Sequence, residues 1–133
     1  MIKQHLTLVF ALLALTLSAQ RVTLIPAKPA PGETVQVIYK PAGGPLADVA
    51  DIEPIAAFLN QDKIDVREIT WSKDGDQYSG SISTQPGDKA FFVVLRVKGS
   101  DAKDDNDGMG YPFPLYTANK SAVVEGANAA IAA

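Results

Sequence analysis

Residues 101–108 hold the densest set of hard oxygen ligands in the 133-residue chain, with Asp101, Asp104, Asp105, Asn106 and Asp107 falling within seven positions of one another and Gly108 closing the run. Calcium takes about six to eight oxygen ligands, and a glycine permits the sharp turn that gathers them. Asp104, Asp105, Asn106 and Asp107 are therefore the candidate metal ligands, and calcium the candidate ion. The EF-hand spacing is not met: with Gly108 in the glycine position, the first ligand falls on Lys103 and the bidentate glutamate on Pro114. A calcium loop of another kind or a solvated acidic turn remains, and the turn, set up by Asn106 and Asp107 before Gly108, is the simpler of the two.

A second group is aromatic. Trp71, Tyr78 and Tyr111, with Phe113 and Tyr116 nearby in sequence, offer flat faces of the kind that bind sugar rings. The alternative is that Trp71 is the inter-sheet tryptophan of a β-sandwich with the tyrosines half-buried around it. Carboxylate pairs also occur, Asp74 with Asp76 and Asp62 with Asp65, but they sit in turns beside lysines. Glycoside hydrolysis needs two carboxyls flanking a cleft. Asn119, Lys120 and Ser121 form a three-residue glycosylation sequon.

Composition removes other chemistries. The chain has no cysteine and one histidine, His5, which lies in the N-terminal segment. Past that segment, a Ser-His-Asp triad, a Cys-His pair and His- or Cys-ligated metal are excluded. Without Lys3, 11 basic residues face 15 acidic ones. Such a mildly acidic sequence lacks the electrostatic footprint of a nucleic-acid or anionic-membrane binder.

The elements that would position these groups begin after residue 20. Residues 1–20 read as a secretory signal peptide, with basic Lys3, an apolar stretch over residues 6–17, and small residues Ser18 and Ala19 near a cleavage point. The apolar stretch is about 12 residues, short of the roughly 20 that span a bilayer. The expected location is secreted or periplasmic, with no membrane span in the mature chain. A domain of this size without disulfides must be held by its core.

Seven strands are expected. Residues 21–25 form the first, before Pro26 and a proline-rich connection. Residues 34–40 alternate, with Val35, Val37 and Tyr39 on one face. Residues 52–59 form a strand whose first half Pro54 confines to an edge or a bulge. Residues 64–71 and 77–84 follow, joined by an Asp-Gly hairpin signal at Asp74 and Gly75. Residues 90–97, apolar on both faces until Arg96, form the central strand. Residues 111–116 are an edge strand because prolines alternate there. This spacing, without intervening helices, predicts one immunoglobulin-like antiparallel β-sandwich, all-β, over residues 21–117. Residues 118–133 are read as an Ala-rich tail or the start of a helical connector.

Residues 90–97, the run from Asp104 through Asn106, Asp107 and Gly108 to Gly110 and Tyr111, and the ending Phe113, Pro114, Leu115, Tyr116 resemble a particular module. It is the Ig-like N-terminal domain that precedes helical and thioredoxin-fold (TlpA-like) regions in secreted Bacteroidetes proteins. The strand from Val35 to Pro41 and the segment from Asp76 to Ser83 are similar to it as well. The resemblance implies an extracytoplasmic accessory domain whose redox Cys-x-x-Cys belongs to the thioredoxin part, so no catalytic residue carries over. Three functions follow as expectations: a non-catalytic module for protein contacts or spacing, a starch-binding-like carbohydrate module, and the N-terminal part of a thiol-disulfide oxidoreductase. No cofactor is expected other than calcium, and the partners expected are protein, with glycan as the alternative.

Overall fold

The computed structural model describes residues 21–61 and 63–132; the expected signal peptide and Asp62 lie outside them. Among the described residues there are nine strands and one short helix: β1 (Val22–Ile25), β2 (Thr34–Tyr39), β3 (Ile52–Asn60), β4 (Lys63–Glu68), β5 (Thr70–Asp74), β6 (Gln77–Ser83), β7 (Ala90–Val97), β8 (Lys103–Asp104), β9 (Tyr111–Pro114) and α1 (Ala127–Ala132). They make two antiparallel sheets. Sheet A has the order β1-β2-β6-β5; sheet B has β4-β3-β7, with β8 and β9 both pairing with the far side of β7. This is the immunoglobulin arrangement, four strands against three, with an added strand, β4, beside β3.

Period-two alternation explains the core. Val35, Val37 and Tyr39 of β2 are fully buried while Thr34 and Gln36 face water. Sheet B contributes Ala56, Phe58, Phe91, Val93 and Leu95, all fully buried. Phe58 and Phe91 stack with centroids 4.8 Å apart, and Phe91 meets Phe113 at 5.3 Å. Each such ring or branched chain removed from water contributes about 1.5–3 kcal/mol, and this packing holds the sheets together without disulfides.

The turns follow their residue chemistry. Gly75, at φ 64°, and Asp76 form a two-residue hairpin between Asp74 and Gln77. Glycine in the first central position is what such a loop needs. Pro54 pairs with Leu95 of β7 and lies beyond the β3–β4 ladder, which starts at Ile55. Its missing N–H therefore faces no neighbour. Strand β9 pairs with β7 alone, as its prolines require.

One expected strand is divided. Residues 64–71 do not form a single strand: Ile69, only 5% exposed, turns the chain from sheet B into sheet A, so that β4 and β5 lie on opposite layers. Ile64 and Val66 point outward, 71% and 63% exposed, while the Arg67 guanidinium lies over the Phe58 ring at 4.0 Å. Beyond β9 the chain folds back. Tyr116 bridges to Val123, Val124 N–H donates to the Leu115 carbonyl at 2.9 Å, and Ala127 of α1 is fully buried.

Candidate functional site

Strands β8 and β9 are two pieces of one interrupted strand. Continuing the β8 register, Leu95 with Asp104, would set Val93 opposite Asn106, but Val93 pairs with Tyr111. The acidic loop is thus a bulge of five residues in an edge strand. Directly opposed side chains share a face. Leu95 and Val93 point inward, so Asp104 and Tyr111 must too, and Lys103, opposite Arg96, points out.

Asp104 is accordingly buried, 1% exposed. Its Oδ2 accepts from Tyr39 OH at 2.8 Å and Arg21 Nε at 3.0 Å. Its Oδ1 accepts from Tyr111 OH at 2.8 Å and the Asn106 N–H at 3.3 Å. Arg21 and Tyr39 belong to the sheet A side, Asp104 and Tyr111 to sheet B, so one carboxylate ties the layers together. Burial alone pushes the Asp104 carboxyl up; the Tyr39, Tyr111 and Arg21 donors outweigh it, and its pKa lies below the ordinary carboxylate value. Burial, with the bond to Asp104, pushes Tyr111 up to about 12 and raises Tyr39 further.

The other three candidate ligands do not converge on Asp104. Asp105 Oδ1 accepts from the Gly108 N–H at 3.0 Å, and its Oδ2 lies 3.4 Å from Lys103 Nζ. The Asn106 amide donates to the Gly110 carbonyl at 3.0 Å. Asp107 is exposed. Asn106 and Asp107 both adopt left-handed backbone, φ 53° and 57°, which these residue types tolerate best after glycine. Among the described residues no three acidic or histidine side chains are grouped as a metal would require.

Of the three aromatic residues proposed for sugar binding, Trp71, half-buried, and Tyr78 pack together, while Tyr111 bonds to Asp104 from the other sheet. Trp71 stacks on Tyr39 with rings 10° from parallel and centroids 6.2 Å apart, and meets Tyr78 at 5.1 Å. Its indole N–H donates to the Ile52 carbonyl on the other sheet at 3.0 Å. Tyr78 and Tyr111 are buried at 5% and 6% exposure. Gly80 makes the Trp71 position available: a Cβ there would stand 2.6 Å from Trp71 Cβ and 2.5 Å from the Thr70 carbonyl.

A second buried carboxylate, Asp88, was not singled out by sequence. It accepts both terminal nitrogens of Arg67, at 2.7 and 3.0 Å, and the Gln85 N–H at 2.7 Å. The Pro86-Gly87-Asp88 turn signal was its only trace, because Arg67 lies 21 residues away.

No protein-family model matches the chain, and no curated protein matches it.

Two of the most water-exposed apolar side chains, Ile64 and Val66, lie on the outer face of sheet B, while Ile25 of β1, 55% exposed, lies in sheet A. Cross-strand register sets Ile64 beside Leu59, and Val66 in a row with Ala57, Phe92 and Pro112; Ile55 and Val94 form the next row. Glu68 and the Glu53–Arg96 ion pair, 2.9 Å, close one end. A shallow hollow of about 550 Å³ lies here, lined by Leu59, Ile64, Phe92, Val94, Met109 and Ala130. Met109 is 74% exposed. Apolar surface rimmed by charge marks contact surfaces. Sequence pattern assigned no facing to Ile64 and Val66 and did not find it. Among the described residues no helix is long and apolar enough to cross a membrane.

Proposed function

We infer that this chain is an exported, non-catalytic β-sandwich accessory module that works through protein contacts. The observation that carries the reading is the outer face of sheet B, where Ile64 and Val66 stand in water beside half-buried Leu59, Phe92 and Val94. The groups with chemical potential support it from the other side. The Asp104 and Asp88 carboxylates are engaged by donors of the protein itself, and the Trp71 ring packs against Tyr39 and Tyr78. The export reading rests on residues 1–20. The resemblance to domains that precede thioredoxin-fold regions suggests the partner class, a helical or thioredoxin-fold protein segment.

The test is site-specific photocrosslinking in the exported fraction of the source cells, with the reactive side chain at position 66 of β4 or position 73 of β5. The expected result is protein adducts from position 66 and none from position 73. Adducts from neither position, or equally from both, would remove the reading, as would hydrolytic or thiol-disulfide activity in the purified protein.

A further inference from the structure

The exposed edge of β4 singles out one partner. The sandwich has four strand edges, on β1, β5, β4 and β9. Pro112 and Pro114 deprive β9 of outward N–H groups. Strand β1 is four residues long, and β5 carries the polar sequence Thr70, Trp71, Ser72, Lys73, Asp74. Strand β4 is six residues long, has no neighbour beyond β3 among the described residues, and presents Ile64 and Val66. Exposed strand edges with apolar side chains are templates for further pairing.

The charges on β4 choose what pairs. A second β4, antiparallel across a two-fold axis normal to the sheet, must set outward residues opposite outward ones, so the axis passes through a residue. With the axis at Asp65, that carboxylate meets its own copy and Lys63 meets Arg67. With the axis at Arg67, two guanidiniums meet. With the axis at Val66, Asp65 faces Arg67 twice, Val66 meets Val66, and Ile64 lies against the stem of Glu68. Axes at Ile64 and at Val66 both bring opposite charges together, but the first pairs only residues 63–65 of β4, with Lys63 opposite Asp65, while the second pairs residues 64–68; Asp65 is 52% exposed and lies 2.9 Å from Arg67 Nε in its own chain.

We propose that a second copy of this chain docks on the β4 edge in that register, with Val66 on the two-fold axis. The proposal rests on the reading of sheet B as the contact surface and names its partner. Two five-stranded sheets become one continuous sheet, and the outer rows containing Val66, Ala57 and Phe92 of each copy run together. Strand-edge contacts fall below the roughly 1,200 Å² of standard interfaces, so the dimer is reversible.

The test is sedimentation velocity of protein purified from cells expressing the full 133-residue sequence, over about 1–500 μM, the range expected for so small a contact. The sedimentation coefficient should rise with concentration from monomer towards dimer. Val66→Asp and Val66→Lys should each weaken association at least about tenfold, since like charges then meet on the axis. Their equimolar mixture should restore it, because residue 66 meets only residue 66. Circular dichroism melting must match the parent protein for both variants, as their exposed position implies. The chain has no cysteine, so single cysteines give a second readout: Val66→Cys should form a disulfide-linked dimer, the opposed Cα separation of about 4.5–5.5 Å suiting the bond, while Ile64→Cys and Ser72→Cys should not. A protein monomeric at every concentration, a mixture that does not restore the dimer, or linking at Val66→Cys no faster than at Ser72→Cys overturns the proposal. A monomer that still crosslinks to another protein through position 66 removes the dimer and leaves the accessory reading. A dimer whose position 66 captures nothing but its own copy removes the accessory reading and leaves the dimer.

Discussion

Replacing Asp104 by Asn isolates the role of the acidic loop, because it keeps the shape and removes the charge. In the native structure four donors share two oxygens: Arg21 and Tyr39 on one, Tyr111 and the Asn106 N–H on the other. An amide accepts at one position only. Set towards Arg21 and Tyr39, it leaves the Asn106 N–H without its bond, while the Tyr111 hydroxyl must rotate to accept. The two tyrosine bonds fall from charge-assisted to neutral and the Arg21 bond loses its ion pair, a loss of about 1 kcal/mol each. The orphaned N–H adds up to about 1 kcal/mol, since it lies near the surface. We expect a loss of about 3–4 kcal/mol, against a total of roughly 6–15 kcal/mol for a domain of this size. At about 4 °C per kcal/mol, the melting temperature falls by about 12–16 °C. The assay is urea unfolding followed by Trp71 fluorescence, in EDTA and again in millimolar calcium. Equal losses in both solutions are expected. A loss under about 1 kcal/mol in EDTA, or one that needs calcium, would refute the account of Asp104 as an internal tie and restore it as a metal ligand.

Four further outcomes follow from the same geometry. The folded pKa of Asp104 is below its unfolded value of about 3.9, so its contribution is present above that pH and disappears as pH falls through the folded value. Tyr39→Phe or Tyr111→Phe should therefore move the acid-unfolding midpoint upward in a fluorescence titration. On the alkaline side, Tyr111 is raised to about 12, so its stabilisation holds below the unfolded pKa of about 10 and is lost as pH rises through the folded one. Absorbance at about 295 nm should show its ionisation coinciding with unfolding rather than preceding it. Asp88→Ala leaves the Arg67 guanidinium, 14% exposed, without its bidentate partner, and should cost about 3–5 kcal/mol in chemical denaturation. Gly80→Ala drives a Cβ to 2.6 Å from Trp71 Cβ, and should cost about 1–3 kcal/mol with a shift in Trp71 emission.

The fold was legible where period-two alternation coincided with burial. Val35, Val37 and Tyr39, the apolar run of β7 and the Asp74-Gly75 turn signal each led to the observed element. It was not legible at β4. There Ile64 and Val66 alternate as buried residues would, yet they face water because Arg67 crosses Phe58 to reach Asp88. That long-range ion pair leaves no local pattern. The acidic loop misled for a related reason. Five neighbouring oxygen-bearing residues suggest hydration or a metal, and only the register of β8 against Leu95 turns Asp104 inward. The partners it then meets, Arg21 and Tyr39, are 83 and 65 residues distant.

The central claim is that the outer face of sheet B is the working surface and that the carboxylates and aromatics within serve the fold. Hydroxyl-radical footprinting tests it directly, applied to the protein within its source cells and to the same protein purified and diluted to about 1 μM, well below the range of a weak interface. The account predicts protection of Ile64, Val66, Phe92 and Met109 in the cells, with Trp71 and Tyr78 unchanged. Protection confined to Trp71 and Tyr78, with β4 and Met109 equally reactive in both samples, would contradict it.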